Sequence, residues 1–145
     1  MTNKALKAKR DLYRIIDANL NRSREGLRVC EEMTRFVLNS KALTRELKAV
    51  RHSIYGVSRS GGAGSKDLAL SRDPEGDCLR QSRFKSEMKR RTFADIFAAN
   101  IERVKESLRV LEELYKLADV KSSVKFCGLR FKVYAIEKKV MKRLG

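Results

Sequence analysis

The feature that most constrains this chain is an internal repeat. Residues 17–33, DANLNRSREGLRVCEEM, recur 81 residues later at 98–114 as AANIERVKESLRVLEEL, with nine of the 17 aligned positions identical. Composition alone would give about one match. The retained positions are not only apolar: Asn19 aligns with Asn100, Arg22 with Arg103, Glu25 with Glu106, Arg28 with Arg109, and the Glu31, Glu32 doublet with Glu112, Glu113. A hydrophobic seam needs only Leu, Val and Ile at helical spacing. A repeat that also keeps Asn, Arg and Glu in register therefore points to a duplicated polar constellation.

Helical periodicity organises the rest. Leu12, Ile16, Leu20, Leu27, Cys30 and Val37 share one side at about 100° per residue, which predicts one long helix over about 6–38. Asn39 and Ser40 then break it, and Ser40 is placed to cap a second helix running to about 57. The plan recurs with a helix over about 92–117 and a last one over about 123–141, opened by the cap candidates Ser122 and Ser123. The second helices also rhyme, Leu47, Lys48 and Ile54 matching Leu129, Arg130 and Ile136 at a shift of 82. One Pro, no Trp and 36% charged residues favour helices over a sandwich or barrel. The expectation is an all-α single domain, 1–145, with repeat one at about 6–57, a linker at about 58–91 and repeat two at about 92–143. Two long helical hairpins related by a pseudo-twofold axis would pack as a four-helix assembly with a long central loop. That loop opens with SRSGGAGSK, flexible by composition, and continues with RDPEGD, a turn by its Asp-Pro and Gly.

Several chemistries are excluded. Cys30, Cys78 and Cys127 are odd in number and widely spaced beside a single His52, so neither a disulfide framework nor a zinc site is indicated. His52 lies on the second helix with no local nucleophile and reads as a packing residue. GGAGSK lacks the GK[ST] ending and the preceding strand of a P-loop. No apolar run approaches about 18 residues and the basic N-terminal stretch lacks a signal-peptide core, so a cytoplasmic protein without a membrane partner is expected. The net charge of +16 predicts anionic partners.

On a helical wheel centred on Asn19, Leu12, Ile16, Leu20, Leu27, Cys30 and Met33 fall within about 100° either side, and Arg22 lies about 60° away on the inward side. Asn100 and Arg103 take the same places in the second half. A buried guanidinium must find a carboxylate, carbonyl or bound anion. The pattern therefore supports either a structural network between the halves or an anion pocket at the pseudo-twofold axis. A second set, Asp17, Asn21, Glu25, Arg28 and Glu32, is expected on the opposite side. Glu25 and Glu106 flank the inward arc, where they could pair with the arginines or hold a metal ion.

In order along the chain, RIIDANLNRSREGLRVCEEMTRFVL, LKAVRH, RDPEGD and SEMKRRTFADIFAANIERVKESLRVLEELYKL resemble the small hydroxymethylpyrimidine phosphate kinase family, found standing alone or fused ahead of thiamine phosphate synthase. The likeness covers about 13–137, and the blocks DANxNRxREGLRV and ANxxRxxESLRVLEE are specific to that family. Ser107, where the family prefers Ala, and the SRSGGAGSK insertion depart from its pattern. The resemblance implies the standalone form and ATP-dependent phosphorylation of 4-amino-5-hydroxymethyl-2-methylpyrimidine phosphate to the diphosphate, with ATP and Mg²⁺ as cofactors. Thiamine phosphate synthase as a functional partner and a homodimer are further expectations, with no nucleic-acid partner.

The residues suit that chemistry. A phosphate monoester offers an already ionised oxygen, its second pKa about 6, so no activated hydroxyl is needed. The reaction requires cations to suppress repulsion between two anions and carboxylates to hold the metal. Arg22, Arg103, Glu25 and Glu106 are the catalytic candidates; Asn19, Asn100, Arg28, Arg109, Arg51 and Arg72 are candidates for binding substrate and ATP. Asp73 and Asp77 are the metal candidates, with Glu87 a further carboxylate. RDPEGD has almost nothing apolar to bury, so it is expected to close over bound nucleotide with GGAG as a hinge. The rival readings are a basic RNA-binding helical module, fitting the pI of about 10.2, and an all-helical enzyme of the chorismate mutase type. Aromatics at packing spacings speak against the first.

Overall fold

The computed structural model describes residues 1–80 and 89–145. Its helices are α1 (Asn3–Glu32), α2 (Lys41–Ser60), α3 (Ser65–Leu70), α4 (Phe93–Ala118) and α5 (Val120–Leu144), and the described residues contain no strand. The chain is all-α. Thr2 caps α1 by accepting from Ala5 N at 3.2 Å. At its far end α1 widens into a π-turn, Met33–Val37, and Asn39 turns the chain with a φ of 49°. Ser40 then caps α2 as expected, accepting from Leu43 N at 3.3 Å. Thr92 caps α4 in a reciprocal box with Asp95. The cap of α5 is not Ser122 or Ser123 but Asp119, the single residue between α4 and α5, whose carboxylate accepts from Ser122 N at 3.2 Å. Both serines lie buried in the first turn, and Ser123 Oγ donates to the Glu112 carbonyl at 2.6 Å.

Four helices close a ring: α1 packs on α2 and α4, and α5 packs on α4 and α2. Their apolar stripes supply one core, with Ile16, Leu27, Leu47, Ile54, Phe97 and Leu108 fully buried. The two hairpins, α1–α2 and α4–α5, are the two repeats. Cys30 lies in this core, its thiol donating to the Phe97 carbonyl, and burial pushes its pKa far up, so it is inert.

The crossing of α1 on α4 is antiparallel and close. Counting seven residues back along α1 and seven forward along α4 from the Cys30–Phe97 contact brings Ser23 opposite Val104, which are repeat mates. The pseudo-twofold therefore passes between them. Beside it, a Cβ on Gly26 would lie 2.8 Å from Val104 Cγ2 and 3.0 Å from the Asn100 carbonyl oxygen, so glycine sets how near the helices come.

Several expectations fail here. The wheel placed Arg22 and Arg103 inward, yet both are exposed, and it placed Asp17 outward, yet Asp17 is buried. The reason is that α1 is covered by two neighbours, α4 on one flank and α2 on the other. The buried arc is thereby turned toward Asp17 and away from Arg22. The linker is also more ordered than its composition suggested: α2 runs through Ser60, and α3 docks on α1 with Leu68 buried. GGAG is no free hinge, because Gly61 and Ala63 are buried, and a Cβ on Gly61 would lie 2.5 Å from Tyr115 Cε1. His52, expected to pack, is exposed.

Gly26→Ala is expected to destabilise the protein by about 1–3 kcal/mol through overpacking at the crossing, despite a gain of about 1 kcal/mol in helix propensity. Gly128→Ala, in α5 with nothing within 4 Å of the added Cβ, is expected to stabilise by about 0.5–1 kcal/mol. Urea unfolding of the two variants checks the pair; shifts of the same sign would contradict the close crossing.

Candidate functional site

The duplicated asparagines, Asn19 buried and Asn100 half-buried, do the same thing twice. Asn19 Nδ2 donates to the Ile15 carbonyl and Asn100 Nδ2 to the Ile96 carbonyl, both at 2.8 Å. One amide N–H and Oδ1 of each remain. Arg22 and Arg103, one residue before Ser23 and Val104, flank the pseudo-twofold, and among the described residues neither meets a carboxylate. Glu25 and Glu106 are exposed and likewise form no ion pair with them.

Beside this axis the 71–77 turn folds onto α1 and encloses a cleft of about 480 Å³. Asn19, Arg22, Arg72, Asp73 and Asp77 all line it, joined by Asp11, Arg14 and Asp17. Arg72 forks onto Asp17, Nε to Oδ2 at 2.7 Å and Nη2 to Oδ1 at 2.9 Å. These hydrogen bonds, with the charge behind them, hold the Arg72 guanidinium above its ordinary pKa. Arg14 Nη2 donates to the Asp73 carbonyl at 3.4 Å. Arg72, expected at a phosphate, thus acts as a strap that seats the turn. Within the turn, Asp73 Oδ1 accepts from Gly76 N and Asp77 Oδ1 from Leu79 N, each at 3.0 Å. Asp11 is held below its usual value by the hydrogen bond from Lys7, outweighing slight desolvation.

The remaining candidates are used elsewhere. Arg51 forks onto the buried Glu31 at 2.7 and 3.1 Å, and that hydrogen bonding raises its pKa. Arg28 lies 3.6 Å from Glu32, and Arg109 lies 3.2 Å from Glu112, which also receives Arg130 at 3.2 Å. Burial works to raise the Glu112 pKa, but hydrogen bonds from Cys127 and Arg130, with the charges of Arg130 and Arg109, bring it below the ordinary carboxylate value. No group of three His, Cys, Asp or Glu side chains suited to a metal occurs among the described residues, and Glu87 lies outside them.

Asp11, Arg14 and Asp17 escaped the sequence reading because it followed the repeat. Their mates are Thr92, Asp95 and Ala98, so the available signal was departure from the repeat rather than conformity to it.

A model of the ThiD2 family matches residues 14–139, nearly the whole helical ring. The chain belongs to the ThiD2 family. Among curated proteins it is similar to a thiamine-phosphate synthase of a Synechocystis strain, 40% identical over 126 residues that cover 87% of this chain and 35% of that protein. It is also similar to thiamine-phosphate synthases of Nostoc sp., 38% over 130 residues covering 90% and 35%, and of Rhodopirellula baltica, 38% over 126 residues covering 87% and 33%. The ThiD2 chain thus spans about a third of the length of these relatives. No solved structure matches it. Among the described residues, no helix is long and apolar enough to cross a membrane.

Asp17→Asn removes the charge that holds Arg72. Global stability is expected to fall by only about 1 kcal/mol, the scale of a partly exposed ion pair. Trypsin cleavage after Arg72 and Arg80 should accelerate severalfold. Digestion at the wild-type rate would show that something other than Asp17 seats the turn.

Proposed function

We propose that this ThiD2 chain transfers a phosphoryl group from ATP to 4-amino-5-hydroxymethyl-2-methylpyrimidine phosphate, giving the diphosphate. The observation that carries this reading is Arg22, which meets no carboxylate among the described residues and lines a cleft with Asp11, Asp73 and Asp77, while its repeat mate Arg103 stands across the pseudo-twofold, likewise exposed and without a carboxylate among the described residues. A guanidinium without a carboxylate beside aspartates that each keep an oxygen to spare suits phosphates and their metal. Family membership and likeness to thiamine-phosphate synthases support thiamine biosynthesis as the setting. A cleft of about 480 Å³ suits a small molecule.

In the proposed reaction an ionised oxygen of the substrate phosphate attacks the γ-phosphorus of ATP. The new P–O bond forms as the bond to the bridging oxygen breaks, and ADP leaves with that electron pair. No general base is needed, since the nucleophile is already deprotonated. Arg22 and Arg103 offset the repulsion between the approaching anions and stabilise the charge spread over the transferred group. The free N–H and Oδ1 of Asn19 suit the exocyclic amine and ring nitrogen of an aminopyrimidine. Arg72 positions the turn. Asp73 and Asp77 each keep one carboxylate oxygen beyond their hydrogen bonds to backbone N–H groups. Mg²⁺ held through phosphate oxygens needs only one or two protein carboxylates, so these residues fit a nucleotide-borne ion. Bound there, Mg²⁺ supplies neutralisation of phosphoryl charge.

Purified protein with ATP, Mg²⁺ and the pyrimidine monophosphate is expected to release ADP and form the diphosphate; folded protein that releases none overturns the proposal. Arg22→Met and Arg103→Met should each lower kcat/KM by about 30-fold or more, roughly 2 kcal/mol, with little change in melting because both side chains are exposed. Arg51→Met separates a structural from a catalytic arginine. It leaves Glu31 buried with only Arg28 near, at 3.9 Å, and should lower stability by about 2–3 kcal/mol while the folded fraction keeps its turnover.

A further inference from the structure

A second cleft, of about 440 Å³, lies where the C-terminal end of α1 passes through the π-turn into α2. Arg28, Arg35, Lys41, Arg45 and Lys48 line it, against two carboxylates. Both carboxylates are engaged: Glu31 by Arg51, and Glu32 by Arg28. Arg35, Lys41, Arg45 and Lys48 meet no carboxylate among the described residues, so like charges converge on a recess with nothing to neutralise them. Lys41 and Arg45 also stand in the first turns of α2, where the helix dipole disfavours cations. Fold stability does not explain this arrangement.

The repeat supplies an internal control. At the matching corner of the second half, Asp119 alone joins α4 to α5. There the mates of Lys41 and Arg45 are uncharged, the buried Ser123 and the half-buried Cys127, while Arg109, Lys116 and Arg130, the mates of Arg28, Arg35 and Lys48, all pair with Glu112 or Glu113. The same framework therefore forms a closed, neutralised corner in one half and an open, cationic one in the other. The opening is made by the π-turn and by Asn39 in the left-handed region, neither of which the second half has.

We propose that this cleft is a second anion site that takes a diphosphate or triphosphate group, separate from the site on the 71–77 side. The charge is spread over a length: about 10 Å of helical rise separates Arg28 near the end of α1 from Arg35 in the π-turn that follows it. Two or three linked phosphates can meet more of these cations at once than a single phosphate can. The separateness follows from the same geometry, since Arg22 and Arg35 are about 20 Å apart along the helix whereas reacting atoms must come within about 3–3.5 Å. The site therefore holds a ligand that is not consumed in the transfer proposed above, within the same chain.

Isothermal titration of the full chain with inorganic pyrophosphate, ATP and orthophosphate tests this, with Arg45→Gln/Lys48→Gln as the variant. Pyrophosphate is expected to bind more tightly than orthophosphate, to weaken as salt rises, and to lose about tenfold or more in the variant. Without ligand, the variant should melt no lower than the wild type, because it loses repulsion rather than a bond. Its turnover with ATP and the pyrimidine monophosphate should be unchanged. The ATP arm separates the sources: ATP that displaces pyrophosphate identifies a triphosphate ligand, and ATP that does not identifies a smaller diphosphate. Equal binding by variant and wild type overturns the site. A collapse of turnover in the variant overturns its separateness. Binding of a short single-stranded RNA with no binding of pyrophosphate overturns the polyphosphate in favour of a nucleic-acid surface.

Discussion

The close antiparallel crossing of α1 on α4 is the contact on which the rest of the structure depends. It is made from small or β-branched residues, Ser23 and Gly26 against Val104 and Ser107. The two serines satisfy their hydroxyls locally, on the Leu20 and Val104 carbonyls at 3.0 Å. Neither hydroxyl is therefore left needing a partner across the interface, and the helices can approach until the Gly26 backbone meets the Asn100 carbonyl. Because the crossing centre falls on repeat mates, each half meets the other with the same surface. One favourable geometry serves twice, and α2 and α5 then cover the remaining flanks.

Buried acids fix how those covering helices sit. Glu31 and Glu112 are repeat mates, both buried, and each takes an arginine from the second helix of its own hairpin. A carboxylate stripped of water tolerates few positions of its partner, so the pair sets the rotation of α2 on α1 and of α5 on α4. The repeat keeps the acid and lets the base move. Arg51 aligns with Val133, and Arg130 aligns with Lys48. Arg130 fits less completely, its Nε being buried without a hydrogen-bond partner.

The architecture was legible in the sequence because apolar period and repeat agreed, and the cap at Ser40 agreed with both. The wheel went astray at Arg22 for a reason it cannot contain. It reports which residues share a side, whereas the position of the buried arc depends on which neighbours flank the helix. At α5 the cap is Asp119 rather than a serine, because a carboxylate in extended backbone serves as well as a hydroxyl. Of the cleft, Asn19, Arg22, Arg72, Asp73 and Asp77 were legible, the last three because a polar turn with nothing to bury calls for another explanation. Asp11, Arg14 and Asp17 were not, since nothing short of the fold brings residue 72 to residue 17.

Duplication explains why departures from the repeat matter so much. In a symmetric scaffold, positions kept in both halves are those that any half must have to fold: the Asn that closes on its own helix, the buried Glu, the Arg that screens it. Residues that differ are free of that demand. Asp17 stands where the second half has Ala98, and Lys41 where it has Ser123, and both contribute to clefts found in the first half. Arg22 and Arg103 are the exception that gives this reasoning its point. They are kept in both halves, yet they are exposed and meet no carboxylate among the described residues, so scaffold duty does not account for them. They are repeat mates on either side of the axis, and Arg22 lines the cleft beside it. An anionic ligand lying between the halves is the arrangement that would keep both.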